Sequence, residues 1–433
     1  MERPVPRARQ IVAAVIGNAL EWYDFSVYGF LAAIMARLFF PASSEYISLL
    51  VYLATFGVGF FMRPVGAIVL GLYADRHGRK AAMQLVMLMM TAGIAMVAFA
   101  PPYAAIGLAA PLLMVLARLL QGFATGGEFA CATSFLVETA PVARRGVYGS
   151  LQMVGQGLSA LGGALAGALV TRGLAPDQID AWGWRVPFLV GLLIAPVGIY
   201  IRRYLQETDE FKAVPAETRR RVGIGALLRE HPQAVAASFG LVVCGTTAFY
   251  IVLLYMPTYA NKQLALPLGD AFLAQVAAIA WLIALTPLFG ALTDRIGRRP
   301  VMIGATIAYL LLPYPLLHWV QAAPSVDRFL VMQLVLCTAV AGHFGAISTA
   351  LADQFPTAVR STGMAIAYNF AVMLFGGFAP AIVTWLIKAT DTPLAPAFYA
   401  MFGAAVGLAA ALTMIEGLKR PPLVLAASAG KSA

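Results

Sequence analysis

Five ionisable residues fall inside stretches that are otherwise apolar: Glu21 and Asp24 in "LEWYDFSVYGF", Arg63 in "GFFMRPVGAIVLG", and Arg118 and Glu128 in "RLLQGFATGGE". A charge at the centre of a bilayer costs at least about 2.5–3.5 kcal/mol on insertion scales, so such groups must face a cavity or one another. An arginine never gives up its proton, and its planar fork of donors suits a carboxylate. A carboxyl group in a low-dielectric site, by contrast, can alternate between charged and neutral forms as neighbouring cations come and go. The chemistry these residue types offer is therefore anion binding combined with proton carriage.

Their spacing places them on shared helix faces. Arg118, Gln121, Thr125 and Glu128 stand at i, i+3, i+7 and i+10, and Glu21, Asp24 and Tyr28 at i, i+3 and i+7, each set forming one stripe. Arg118 is the expected grip on the substrate, with Gln121 and Tyr28 beside it. The plainer reading has Arg118 paired with an acid of the first helix; Glu128, about 15 Å further along the axis, is out of its direct reach. Asp24, Glu128 and Glu21 are the candidate proton carriers, the first two favoured. By helical rise Asp24 lies about 20 Å from Gln10, and Arg63 about 18 Å from Asp75, so the two share a depth and an Asp24–Arg63 ion pair is the plainer alternative to proton carriage by Asp24. Gln152 and Gln156 share a face of a further helix, where they either donate to substrate oxygens or hold helices together. Tyr255 and Asn369 are the corresponding hydrogen-bonding candidates in the second half. His343 reads either as a titrating group or as a bridge between helices.

The elements that position these groups follow from composition. Of 433 residues 61% are hydrophobic and 12% charged, against about 25% charged in a soluble domain. A bilayer core of about 30 Å needs roughly 20 apolar residues per helix. Twelve stretches qualify: 10–38, 46–72, 81–100, 106–137, 146–171, 186–205, 233–260, 270–292, 300–320, 329–353, 360–388 and 395–416. The runs are continuous rather than alternating, so an all-α membrane protein is expected. The first stretch is too long for a cleaved leader and should stay in the mature chain.

The net charge of +10 suggests nucleic acid until it is mapped onto these spans, whereupon 22 of the 30 Lys and Arg residues fall on the side that carries both termini. The positive-inside rule then puts both termini in the cytoplasm. Cys131, Cys244 and Cys337 lie singly in apolar helices, suggesting neither disulfides nor a metal site.

The chain also repeats itself. "GLYADRHGRK" at 71–80 and "GALTDRIGRR" at 290–299 are 219 residues apart, about half the length, each following the second helix of its half. The halves are read as 1–205 and 233–418, joined by a polar cytoplasmic linker at 206–232 and followed by a tail at 419–433. Parallel six-helix halves are what transporters rock around a midplane site. In the repeated motif Gly71 and Gly290 permit close helix approach, while Asp75 and Asp294 are expected to latch onto a helix end or an arginine, among Arg76, Arg79, Arg295 and Arg298.

This paired motif resembles the loop signature of the major facilitator superfamily, and "RLLQGFATGGE" resembles its fourth-helix motif. "GNALEWYDFSVYGF", "FFPASSEYISLL", "FMRPVGAIVLG", "WGWRVPFLVG", "LQETDEF", "YMPTYA" and "FPTAVRSTG" are similar to the metabolite:proton symporter family within it. The stretch from Phe39 to Gly71 most resembles the citrate and tricarballylate proton symporters. The resemblance implies a twelve-helix fold and import of a di- or tricarboxylate with protons across a bacterial-type inner membrane by a monomer. Relatives in the same family imply an alternative, import of a zwitterion such as betaine or proline. A transporter-like sensor or membrane enzyme is the reading from another class. No nucleotide, dinucleotide or hydrolase fingerprint occurs in a suitable context, so no cofactor is expected and an ion gradient must supply the energy.

Overall fold

The computed structural model describes residues 7–77, 79–126, 128–192, 224–357 and 359–415, and no strand occurs among them. Most of the 206–232 linker and the 419–433 tail lie outside these residues, as do the side chains of Asp75, Arg76, Arg79, Glu128 and Cys131.

Twelve spans follow the sequence. In the first half they are α1 (Arg7–Phe30, prolonged by Ala32–Phe39), α2 (Glu45–His77), α3 (Arg79–Ala98), α4 (Ala109–Ala124, then Glu128–Thr139) and α5 (Arg145–Gly173), with α6 helical over 185–192 as far as it is described. In the second half they are α7 (Pro232–Thr247, a π-helical stretch Ala248–Tyr255, then Met256–Leu264), α8 (Leu268–Ile296), α9 (Arg298–Leu311 and Pro313–Ala322), α10 (Val326–Gln354), α11 (Arg360–Phe375 and Ala379–Thr390) and α12 (Ala395–Thr413). Eight helices among the described residues are long and apolar enough to cross a membrane; shorter apolar helices at Leu85–Ala98 and Ala109–Ala124 fall in α3 and α4.

The interruptions have local causes. Proline lacks the amide hydrogen that a helix interior uses, and Pro313 and Pro380 stand at or next to the first position of a restarted segment, where that hydrogen is not needed. The expectation of one unbroken fourth helix over 106–137 is corrected. The helix stops at Ala124, and Thr125 and Gly126 turn before it restarts at Glu128. Arg118 and Gln121 therefore belong to one segment and Glu128 to the next, and the four-residue stripe is not a single helical face.

That break is also where α2 and α4 touch backbone to backbone. A Cβ on Gly122 would lie 1.7 Å from the Gly59 carbonyl oxygen, and one on Gly126 would lie 2.2 Å from that of Arg63. Only glycine fits at either place, and the close approach carries the polar faces of both helices to the same depth.

The halves meet through α5 against α8 and α10, α2 and α4 against α11, and α1 against α7. At the end bearing the DRIGR loop, Asp294 Oδ1 and Oδ2 accept from the amides of Gly146 and Val147 at 2.7 and 3.1 Å, in the first turn of α5. Gly290, one turn earlier, lets α5 approach so closely that a Cβ there would lie 2.8 Å from the Gly146 carbonyl oxygen. Arg360 of α11 reaches Glu138 of α4 at 2.6 Å, both side chains being buried. At the opposite end Lys262 reaches Glu45 at 2.7 Å and Arg172 reaches Asp270 at 2.6 Å, all across the same interface. With contacts at both ends, the halves are closed around the middle of the bundle.

Candidate substrate and proton site

Asp24, halfway along α1, is 1% exposed and meets two residues of α4. Arg118 Nη2 donates to its Oδ2 at 3.0 Å, and Gln121 Nε2 donates to the same oxygen. The i, i+3 spacing of Arg118 and Gln121 makes this convergence possible. Below the arginine lies the Tyr28 ring, with the guanidinium carbon 3.9 Å from its centroid. Tyr28 in turn stacks on Tyr52 at 4.4 Å, and the Tyr52 hydroxyl donates to the Tyr28 carbonyl at 2.8 Å. Two aromatic layers thus hold the arginine in place.

The cluster keeps unused capacity. Asp24 Oδ1, Arg118 Nε and Nη1, Gln121 Oε1 and the Tyr28 hydroxyl are all buried without a hydrogen-bond partner. Buried polar atoms are ordinarily paired, and several idle ones in one place mark a site that accepts further partners. One partnerless buried charge would be strongly destabilising, about 3–5 kcal/mol for a broken pair, so Asp24 and Arg118 hold each other until something replaces one of them.

The alternative of an Asp24–Arg63 pair is not the one formed. Rise along a helix fixes depth but not direction around the bundle, and at that depth Asp24 turns to α4. Arg63, 1% exposed, lies instead among aromatic rings, its guanidinium carbon 4.7 Å from the Trp22 and Phe60 centroids and 5.4 Å from that of Phe25. Glu21 is buried on α1 one turn before Asp24.

Between the halves lies a cavity lined by Trp22 of α1, Phe129 of α4, Met153 and Gln156 of α5, Phe249 and Tyr250 of α7, and Tyr368 of α11, among others. Its free volume is about 20 Å³, room for roughly one water. Gln156 Nε2 donates to the Tyr368 hydroxyl at 3.4 Å, and Phe129 stacks on Tyr368 at 3.8 Å. Gln152, one turn from Gln156, has both amide atoms buried and unpartnered. Asn369 does not face this cavity: its amide donates to the Gly126 carbonyl, tying α11 to the break in α4. Tyr255 bonds Thr384 at 3.0 Å, also outside the lining, and His343 Nε2 meets the Leu241 carbonyl at 3.1 Å, bridging α10 and α7. Arg298 pairs with Asp353 at 2.7 Å within the second half, and Arg295 is exposed.

The aromatic residues around this cavity were not singled out as a set from the sequence, because a Trp or Phe in an apolar helix looks like any core residue. The signal that marks them is their convergence from α1, α4, α7 and α11 on one cavity, which only the fold reveals.

The sugar (and other) transporter family matches over residues 10–218 and again over 208–421, one match to each half. The citrate-proton symporter of Salmonella typhi is 39% identical over 416 residues, 95% of this chain and 94% of that protein. The chain belongs to this transporter family. The citrate-proton symporter of Klebsiella pneumoniae is 40% identical, covering 93% and 91% of the two chains, and the proline/betaine transporter of Escherichia coli (strain K12) is 30% identical, covering 95% and 84%. Among solved structures, a major facilitator superfamily proton:xylose symporter bound to 6-bromo-6-deoxy-D-glucose superimposes with a TM-score of 0.76 at 17% identity over 94% of each chain. That likeness shows the major facilitator fold: twelve helices in two halves. The family member described here is thus a multi-pass membrane transporter and not an enzyme.

Proposed function

We propose that this transporter imports a small di- or tricarboxylate, such as citrate or tricarballylate, together with protons. Both termini and the DRIGR loop would face the cytoplasm across a bacterial-type inner membrane, as the charge distribution supports. The halves 1–205 and 233–418 would rock as units about the central cavity, the 206–232 segment linking them, and the protein would work as a monomer.

The observation that carries the reading is the buried Asp24–Arg118 pair with its idle donors and acceptors. While Asp24 is ionised, it occupies Arg118. A proton on Asp24 removes the partner charge and leaves a guanidinium free to take a substrate carboxylate in bidentate fashion. A substrate carboxylate on Arg118 has the converse effect and leaves Asp24 to bind a proton. Each event favours the other, as linkage requires, so proton and anion travel together. Gln121, Tyr28, Gln152 and Gln156 supply hydrogen bonds to remaining substrate oxygens, and Glu21 and Glu128 stand by as further proton carriers. The cavity as closed is far smaller than such a substrate, so loading requires the halves to part at one end.

Gating falls to the contacts between halves. Asp294 on the α5 helix terminus, where the backbone dipole favours an anion, and Arg360 on Glu138 hold the cytoplasmic end shut. Asp75, Arg76, Arg79, Arg295 and Arg298 complete the proposed ion-pair and gating set.

The test is uptake of labelled citrate into proteoliposomes under an inward proton gradient. Accumulation that collapses with the gradient supports the reading, and none in protein that folds normally sinks it. A second reading, uptake of betaine or proline, is favoured by the aromatic cavity wall, since quaternary ammonium groups bind ring faces. Betaine accumulation that excess citrate leaves untouched would select it.

A further inference from the structure

The pairing of Asp24 with Arg118 leaves a second buried cation to explain. Arg63 is as deeply buried as Arg118, yet no carboxylate among the described residues pairs with it, and its Nε has no hydrogen-bond partner. Ring faces surround it, from Trp22, Phe60 and Phe25. Those faces offset part of the penalty of burying a charge but accept no hydrogen bond along the fork. Trp22, which covers Arg63, also lines the central cavity, as do Tyr250 and Tyr368, and Phe60, which covers Arg63 too, packs edge-on against Tyr250 with ring centroids 5.7 Å apart. The Tyr250 hydroxyl is itself buried without a partner. Arg63 and Arg118 share the Phe25 ring, with their guanidinium carbons 5.4 and 5.6 Å from its centroid. Two cations against one ring are close enough to meet two ends of the same short anion.

We propose that Arg63, with the hydroxyls of Tyr250 and Tyr368, forms a standing carboxylate subsite at the cavity wall, separate from the proton-switched Arg118. The inference rests on the carboxylate reading above and deepens it. Arg118 is available only when Asp24 releases it, whereas Arg63 is available throughout. An anion entering the open cavity is therefore captured first by Arg63, before any proton has bound, and a second carboxylate then draws Arg118 from Asp24. A substrate with at least two carboxylates engages both cations; a monocarboxylate engages one and leaves the switch unthrown.

The experiment is citrate binding to purified full-length protein, by calorimetry, in wild type, Arg63→Gln, Arg63→Lys and Asp24→Asn, with the melting temperature of each ligand-free protein recorded alongside. The subsite predicts that Arg63→Gln weakens citrate binding at least tenfold, that Arg63→Lys, which keeps the charge but loses the fork, falls between, and that Asp24→Asn still binds citrate. It also predicts that ligand-free Arg63→Gln melts no lower than wild type, because the change removes a buried charge that no carboxylate among the described residues pairs with. Arg63→Gln that binds citrate like wild type, or that melts well below it or fails to fold, overturns the subsite, since the arginine would then be serving the resting structure. Wild type that binds no di- or tricarboxylate, with Arg63→Gln behaving identically, instead overturns the carboxylate reading and takes the subsite with it.

Discussion

At the residue scale the account turns on one carboxylate shared by two donors. Arg118→Ala should abolish citrate uptake in vesicles while membrane expression persists, because the abandoned Asp24 can take a proton and need not stay charged. Asp24→Ala is the harsher change, for Arg118 cannot neutralise itself. A buried charge stripped of its partner typically costs about 3–5 kcal/mol, so Asp24→Ala should melt clearly below Arg118→Ala in a thermal-unfolding series. Equal melting points would mean that the pair is not insulated from water. The sequence displayed these residues openly, since charges in apolar runs are conspicuous, but not who holds whom. Asp24 and Arg63 share a depth, and depth was all the spacing could supply; the direction of each side chain around the bundle depends on how α1, α2 and α4 are rotated. Asn369 shows the same limit: its depth suited a substrate contact, while its amide is spent on the Gly126 carbonyl.

At the element scale the decisive contact is the glycine seam between α2 and α4. Gly122→Ala would put a methyl carbon 1.7 Å from the Gly59 carbonyl oxygen, a backbone atom that cannot swing aside. The helices must separate, at the upper end of the roughly 1–3 kcal/mol typical of overpacking, and Arg118 must move away from Asp24. Poor recovery of monodisperse protein, or a sharply lowered melting temperature, is expected; wild-type behaviour would show that the seam is looser than described. A second device at this scale lies in α7, where the π-helical stretch leaves the Val252 carbonyl to accept from Gln275 at 3.2 Å and Gln333 at 2.9 Å. Spans and their order were legible in the sequence because twenty apolar residues have few other uses. The break in α4 was less so: the apolar span 106–137 and the stripe through Thr125 both run across it, while the close passage of Gly126 against Arg63 and Ala67 of α2 depends on packing.

At the scale of the whole molecule, contacts at the two ends differ in worth. Glu45 in the Lys262 pair is 84% exposed at its side chain, whereas Arg360 and Glu138 are 4% and 6% exposed. Exposed pairs contribute little and are screened by salt, while hydrogen bonds to buried charges contribute about 1.5–3 kcal/mol. Glu45→Gln should therefore leave transport within twofold of wild type. Glu138→Gln should shift the resting population toward opening at that end by roughly tenfold or more, since about 1.4 kcal/mol is a factor of ten. Alkylation of a cysteine placed at Ser134, which sits 3.3 Å from Ser361 across the interface, reads this directly. Faster labelling in Glu138→Gln is the expected outcome, and unchanged labelling would remove the buried pair from the gate. The two-fold repeat of the loop motif announced this architecture; which loop residues meet the other half depended on packing, and only Asp294 of the two motif acids falls among the described side chains.

The central claim is that Asp24 carries the proton which releases Arg118 to the substrate. Its most direct test is the pH change outside lightly buffered proteoliposomes when citrate is added, compared for wild type and Asp24→Asn. Wild type should alkalinise the medium as citrate enters, and Asp24→Asn should exchange labelled for unlabelled citrate without moving protons. Asp24→Asn that carries protons inward with citrate as wild type does would contradict the account.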